Sequence, residues 1–176
     1  GALPSTDWYN ESIKKSAIET MHNIAINGGT EKTTYNASLG YTYQDGLTKD
    51  NDYSRYNARM NLNSEINKYI RVGVNASGYR AVSKDAWNSF VNVFQGVTRE
   101  KPTNSIYNED GSFAYHGVDN PLAIQGDKSG WRRNTQQELN LTAHATLQLL
   151  PELSIKGVYS VRNYTYNQDG FKKHFS

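Results

Sequence analysis

Apolar and polar residues alternate along much of the chain, a pattern typical of strands whose two faces meet different media. In residues 33–44, the apolar residues Tyr35, Ala37 and Leu39 occupy odd positions, and polar residues or glycine occupy the even positions. Because successive side chains of a strand point to opposite faces, each such stretch has one apolar and one polar face. The pattern predicts strands over residues 23–27, 33–44, 55–64, 70–77, 139–149 and 153–162, and a further strand near residues 7–13.

Short and long connections alternate between these strands. Tight turns are predicted at residues 27–32, 64–68 and 150–154, and longer loops at residues 44–54 and 81–130. In the first turn, Gly28 and Gly29 supply the positive φ that hairpins need. The fold class is therefore all-β, an antiparallel up-and-down meander with short turns at one end and long loops at the other, as in membrane barrels.

Tyrosines flank the apolar centre of the second predicted strand. Tyr35 lies near its short-turn end, and Tyr41 and Tyr43 lie near its long-loop end. Aromatic residues favour both lipid–water interfaces, and strands of roughly 9–11 residues cross a bilayer at a tilt. The mean hydropathy of −0.77 is low. It nevertheless agrees with a membrane barrel, whose strands are apolar on one face only.

The long connection, residues 81–130, has a pattern of its own. Ser83 or Asp85 is a candidate cap for a short helix that Pro102 ends, and a turn is predicted at Asp110 and Gly111. The apolar positions of that helix are Trp87, Phe90, Val91 and Phe94. We expect a folded, partly helical loop and not a flexible linker.

A spaced set of residues resembles the SusC/RagA-type TonB-dependent outer-membrane transporters of Bacteroidetes. The matching positions are Gly28, Gly29, Thr30 and Lys32, then Tyr35, Ser38, Tyr41, Gln44 and Gly46, then Tyr53, Arg55, Arg59, Asn61 and Leu62. Loop residues 106–113 and 119–123 also look like that family. The resemblance spans most of the chain.

The resemblance implies a transmembrane barrel of about 22 strands with an internal plug, located in the outer membrane of Gram-negative bacteria. Such proteins import oligosaccharides or peptides, are energised by the TonB complex and are covered by a SusD-like lipoprotein lid. Residues 1–176 would supply the first strands after the plug, with residues 81–130 as an extracellular loop. The plug, and with it the segment that contacts TonB, would be absent from this chain. The other expected partners are the rest of the same barrel and outer-membrane lipid.

The polar strand faces carry the residues expected to point into the barrel lumen: Arg55, Asn57, Arg59, Asn61, Arg71, Asn75 and His144. Such residues hold a plug by hydrogen bonds and ion pairs, or line a polar path. Holding the plug is the simpler of these two interpretations.

Four aromatic residues in or beside the long loop are candidate ligand contacts: Trp87, Tyr107, Tyr115 and Trp131. Aromatic faces stack on sugar rings, but such residues also pack the core of a folded loop. Both interpretations stay open here.

Composition excludes several other functions. The 19 Lys and Arg residues nearly balance the 17 Asp and Glu residues, which gives no field for nucleic acid. The chain has no cysteine, and His22, His116, His144 and His174 lack partners at metal-ligand spacing. The GGTEKT stretch lacks the spacing of a phosphate-binding loop. We therefore expect no enzyme, no metal and no cofactor.

An alternative explains the same alternation in a soluble protein. A surface-exposed β-sandwich that binds glycans or mediates adhesion would bury the apolar strand faces between two sheets. The two hypotheses differ in whether a second layer of the chain covers those faces.

Overall fold

Six antiparallel strands form one sheet in the computed structural model, which describes residues 4–88, 90–126 and 129–173. The strands are β1 (Glu19–Gly29), β2 (Thr33–Asp45), β3 (Asp52–Asn67), β4 (Ile70–Ala86), β5 (Gly130–Leu150) and β6 (Leu153–Lys172), paired in chain order. Two helices accompany them, α1 (Trp8–Ser12) and α2 (Phe90–Arg99). The predicted all-β antiparallel meander is confirmed.

Five strands run further towards the long-loop end than the alternation predicts: β1 begins at Glu19 and β3 at Asp52, and the extensions of β4, β5 and β6 are longer. Strand β4 continues past Ser77 to Ala86, β5 begins at Gly130 instead of Leu139, and β6 continues past Arg162 to Lys172. These extensions carry polar side chains on both faces, so no alternation marks them, although the backbone ladder is unbroken. The long connection accordingly runs between Ala86 and Gly130.

The predicted strand near residues 7–13 is wrong, because helix α1 occupies this position. The Asp7 side chain caps the helix by accepting a hydrogen bond of 3.1 Å from the Asn10 N–H. This bond lowers the pKa of the Asp7 carboxyl below its ordinary value. Trp8 and Ser12, one helical turn apart, are both buried.

The predicted cap of the second helix is also wrong, because Ser83 and Asp85 lie within strand β4. Helix α2 begins at Phe90, after Trp87, and Ser89 lies outside the described residues. Its buried residues are Val93 and Gly96, whereas Phe90, Val91 and Phe94 are exposed. The long loop is partly helical, as predicted, but the expected apolar face of its helix points outwards.

The register sorts the side chains of the sheet into two faces, because directly paired residues share a face. One row pairs Ile24 with Leu39, Leu39 with Ala58, Ala58 with Gly78, and Gly78 with Leu139. We call this side the apolar face; it also carries Ile26, Ala37, Met60, Leu62, Val72, Val74, Ala76, Leu141, Ala143, Leu147, Ile155 and Val161. Its side chains are open to the surroundings, with Ile24 71% and Leu39 65% exposed.

The exposed area of the chain argues against a compact soluble domain. The surface is 12165 Å² for a chain of 19.9 kDa, whereas a compact monomer of this mass exposes about 8,700 Å². The sandwich alternative is wrong, since the described residues form one sheet and no second layer covers its apolar face.

Short turns and longer loops lie at opposite ends of the sheet, as predicted. The row of paired residues beside the β1–β2 turn, in which Gly28 lies opposite Tyr35, continues through Val74 to Tyr159. At Tyr159 this row is still several residues away from the β5–β6 turn at Leu150. The turns are thus staggered from strand to strand, which is the arrangement of tilted barrel strands. Neither described helix has the length and apolar character needed to cross a membrane.

Most buried residues lie at the long-loop end, outside the sheet. Ile13 of the N-terminal segment packs against Val93 of α2 and Ile124 of the long loop. The Trp8 indole N–H donates to the Lys101 carbonyl at 3.0 Å, and the Lys14 ammonium pairs with Asp45 at 2.8 Å. We call residues 4–18, 46–51 and 90–126 the loop cluster; it has a small core of its own.

Replacing Ile13 by alanine is expected to loosen the N-terminal segment and the long loop together. The substitution removes a side chain that is 4% exposed, and such cavities cost about 2–5 kcal/mol. Hydrogen exchange should therefore accelerate in residues 4–18 and 90–126 but not in the strands. Ile18→Ala is the control, because Ile18 is 65% exposed. Equal effects of the two variants would contradict the account.

Candidate functional site

The seven residues predicted to face a lumen all lie on the side of the sheet opposite the apolar face. Arg59 pairs with Ser38 and Ser77, Asn61 pairs with Asn75, and His144 lies opposite Gly73. The register places three further residues on this same side of the sheet: Arg55, Asn57 and Arg71. We call this side the polar face. That it lines a lumen stays a prediction.

A charged cluster occupies the polar face where the apolar band ends. The Glu138 carboxylate accepts hydrogen bonds from Arg162 Nη2 at 2.9 Å and from Asn140 Nδ2 at 2.6 Å. Tyr79 lies directly opposite Glu138, and the Arg55 guanidinium sits 4.3 Å from the centre of the Tyr79 ring. Two guanidinium groups thus flank one carboxylate and one aromatic ring.

Of this charged cluster, sequence reasoning identified Arg55 alone. Three other members, Glu138, Asn140 and Arg162, occupy the alternate positions of their strands that face the polar side. This alternation was the sequence signal that could have pointed to them. Their proximity depends on the β5–β6 register, which pairs Asn140 with Arg162.

A second group lies on the polar face at the short-turn end, around a cleft of about 340 Å³. Arg71, His144, Lys32 and Lys156 line it, together with the carboxylates of Glu31 and Glu65. Glycine at position 73 leaves space for the His144 ring, because a Cβ at that position would collide with it. The cleft presents several hydrogen-bond donors to whatever lies against it.

The four predicted ligand-binding aromatics do not converge on one place. Trp131 pairs with Ala86 and Phe171 at the base of the long loop, where Trp87 lies close to Gly170. The Tyr107 ring packs against Phe113 at a tilt, with 5.0 Å between the ring centres.

Tyr115 is 71% exposed and lines a different cleft, of about 390 Å³, beside Gln95, Arg99 and Asp119. Its planar ring and these polar groups suit a ligand that both stacks and forms hydrogen bonds. Ligand binding by all four aromatics stays a prediction.

Within residues 4–88, 90–126 and 129–173, no three His, Cys, Asp or Glu side chains are grouped as metal ligands would be. His174 lies outside that part of the chain.

Curated relatives of this chain share a common description. It is 28% identical over 114 residues to the TonB-dependent receptor SusC of Bacteroides thetaiotaomicron, covering 64% of this chain and 11% of the relative. It is 25% identical over 164 residues to the TonB-dependent receptor P39 of Formosa agariphila, which covers 90% of this chain and 15% of that relative. The chain thus spans a small fraction of the curated relatives it matches. No family model matches the sequence.

Solved structures place the same fold in a larger chain. The RagAB peptide importer in its closed-closed state superposes with a TM-score of 0.77 at 21% identity, covering 98% of this chain and 21% of that one. The open-open state of the same importer superposes with a TM-score of 0.77 at 22% identity, covering 97% of this chain and 20% of that one. The resemblance to the SusC/RagA-type TonB-dependent receptors is confirmed. The six-stranded meander has the fold of one part of such a receptor.

Substituting Glu138 by glutamine is expected to destabilise the six-stranded sheet slightly and to lower its unfolding midpoint in urea. The change removes the charge that faces Arg162, whose side chain is 66% exposed, so solvent screening keeps the effect modest. Urea unfolding of the intact protein in detergent would measure it. Glu109→Gln, on the exposed loop surface, is the control. An unchanged midpoint for Glu138→Gln would contradict a structural role of the cluster.

Proposed function

We propose that this chain forms part of the wall and one external loop of an outer-membrane, TonB-dependent importer of oligosaccharides or peptides. The single observation that carries the proposal is the uncovered apolar face of a one-layer sheet. In water this face would lose the hydrophobic stabilisation that folded domains depend on, about 25 cal/mol per Å² of apolar surface. Lipid chains are the medium that suits it.

Aromatic residues mark where the proposed hydrocarbon layer ends. At the long-loop end of the apolar face, the Tyr41 and Tyr56 rings lie 4.8 Å apart, and His22 lies beside Tyr41. Tyr35 and Tyr69 lie towards the short turns and are about half exposed. Tyrosine suits both interfaces, because its ring tolerates hydrocarbon while its hydroxyl reaches water.

The polar face would then look into the barrel. We propose that its seven predicted residues, with the charged cluster around Glu138, contact a plug or line a polar path. Every hydrogen-bonding group facing the interior meets either water or the polar surface of a plug, so the face needs no apolar partner. The loop cluster, which includes most of the long connection between Ala86 and Gly130, would face the exterior of the cell.

The proposed partners follow from the resemblance to SusC/RagA-type receptors. They are the rest of the same barrel with its plug, a SusD-like lipoprotein lid over the loops, and the TonB complex. The relatives are named as receptors and as a peptide importer, and the proposed activity is likewise transport and not catalysis. Trp87, Tyr107, Tyr115 and Trp131 are the proposed ligand contacts.

Uptake by intact cells tests the proposed activity. A strain lacking the protein would be compared with its complemented parent for import of fluorescent malto-oligosaccharides and of a fluorescent peptide pool. We expect the deletion to abolish import of one of the two, and removal of TonB to have the same effect. Unchanged import of both ligand classes would overturn the proposal.

In the same uptake assay, Tyr115→Ala is expected to weaken ligand capture several-fold. Loss of one stacking aromatic costs about 1 kcal/mol or more, and each 1.4 kcal/mol is a factor of ten in affinity. Tyr9→Ala is the matched control, because Tyr9 is also an exposed loop-cluster tyrosine, at 54% against 71% for Tyr115. If Tyr115→Ala imports ligand as well as Tyr9→Ala does, Tyr115 is no ligand contact.

A lipid-facing wall predicts opposite tolerance of charge at neighbouring positions. Leu141 lies on the apolar face and Thr142, the next residue, lies on the polar face. Arginine at the midplane of the lipid face costs about 2–4 kcal/mol, whereas a lumen position tolerates it. Leu141→Arg should therefore lower the folded fraction in the outer membrane, and Thr142→Arg should not. Heat-modifiable gel migration reads this fraction, and the reverse order would contradict the assignment of the faces.

A further inference from the structure

A groove runs along the apolar face, over strands β2 to β4. Its lining includes the small residues Ala37, Ala58, Ala76 and Gly78, with Leu39 and Met60 among them, and larger side chains of β1 and β5 lie at its sides. The walls are Ile24 and Ile26 on one side and Leu139 on the other. This part of the groove has a volume of about 450 Å³.

The groove continues towards the long-loop end into a second hollow of about 460 Å³. The two parts share Ile24, Leu39, Ala58 and Gly78, so they form one continuous channel. We call the whole channel the wall groove. It lies on the side that we propose to face lipid.

Polar side chains close the long-loop end of the wall groove. Arg80 lies directly opposite Tyr56, Tyr56 opposite Tyr41, and Tyr41 opposite His22, all on the apolar face. Arg80, Tyr56, Tyr41 and His22 all line the second hollow. A guanidinium, two phenol hydroxyls and an imidazole thus meet where the apolar lining ends.

The Arg80 charge has no partner within the described part of the chain. Its side chain is exposed, and no described residue forms an ion pair or hydrogen bond with it. No Asp or Glu of the described residues lines either part of the wall groove. A cation on the lipid side is costly unless it reaches water or an anion.

We propose that the wall groove is a binding site for a phosphate-bearing lipid of the surrounding membrane. The phosphate would accept hydrogen bonds from Arg80 and the neighbouring tyrosine hydroxyls, and one acyl chain would lie over Ala58 and Ala76. Charge complementarity at one end and an apolar channel along the rest specify an amphiphile with an anionic head. This proposal rests on the proposed position of the apolar face in lipid.

The arrangement favours a lipid over a protein partner. An apolar transmembrane segment would fill the channel but would bring no anion to Arg80. A free phosphate would satisfy Arg80 but leave the channel unused. A single lipid molecule uses both features.

Titration of the purified full-length receptor with dioleoyl-phosphatidylglycerol, followed by native mass spectrometry, tests the site. We expect Arg80→Gln to raise the half-saturating lipid concentration about tenfold, because a charged hydrogen bond is lost. Ala58→Phe should have a similar effect by filling the channel. Lys84→Gln and Ala143→Phe change the same face outside the groove and should stay within about twofold of the parent.

The outcomes separate this proposal from the function on which it rests. Liposome flotation of the parent receptor comes first: failure to insert overturns the proposed function and this site with it. If the parent inserts but Arg80→Gln and Ala58→Phe bind lipid as the controls do, only the lipid site is overturned. Binding of inorganic phosphate as tightly as the lipid, binding of neutral dioleoylglycerol with equal strength, or a change from dimer to monomer in Ala58→Phe would each overturn it too.

Discussion

The unequal chemistry of the two faces of a single sheet is the constraint on which the rest of the structure depends. Backbone hydrogen bonding is satisfied from strand to strand, but the apolar face is covered by no other described element, and residues such as Leu39 and Ile24 are largely exposed. An area of 12165 Å² leaves far more surface uncovered than a compact chain of this size would. The proposed function accounts for this imbalance, with hydrocarbon on one side and a polar interior on the other.

The loop cluster shows the opposite solution within the same chain. Here Ile13, Val93 and Ile124 bury one another, and backbone groups such as the Thr6 N–H find partners in the long loop, at 2.8 Å from the Pro102 carbonyl. The N-terminal segment, the shorter loop and the long loop thus form one packed unit above the sheet. The sheet therefore leaves its apolar face uncovered, whereas the loop cluster buries apolar side chains within itself.

The alternation of side chains predicted the centre of every strand because one face is apolar there. It failed in the extensions of β4, β5 and β6, where both faces are polar, and at residues 7–13, where the Asp7 cap and the spacing of Trp8 and Ser12 favour a helix. The polar parity of Arg55, Arg59 and His144 was readable from the sequence. The contact of Glu138 with Arg162 was not, since it depends on a register that joins two strands.

The medium against the apolar face is measured most directly by spin labels in the reconstituted receptor, and this chain contains no cysteine of its own to interfere. Single cysteines at Leu39 and Leu141 would carry nitroxides on the apolar face, and Ser38 and Thr142 would carry them on the polar face. The account predicts frequent collisions with oxygen and few with a water-soluble nickel complex at Leu39 and Leu141, and the reverse at Ser38 and Thr142. Nickel collisions dominating at Leu39 and Leu141 would contradict it.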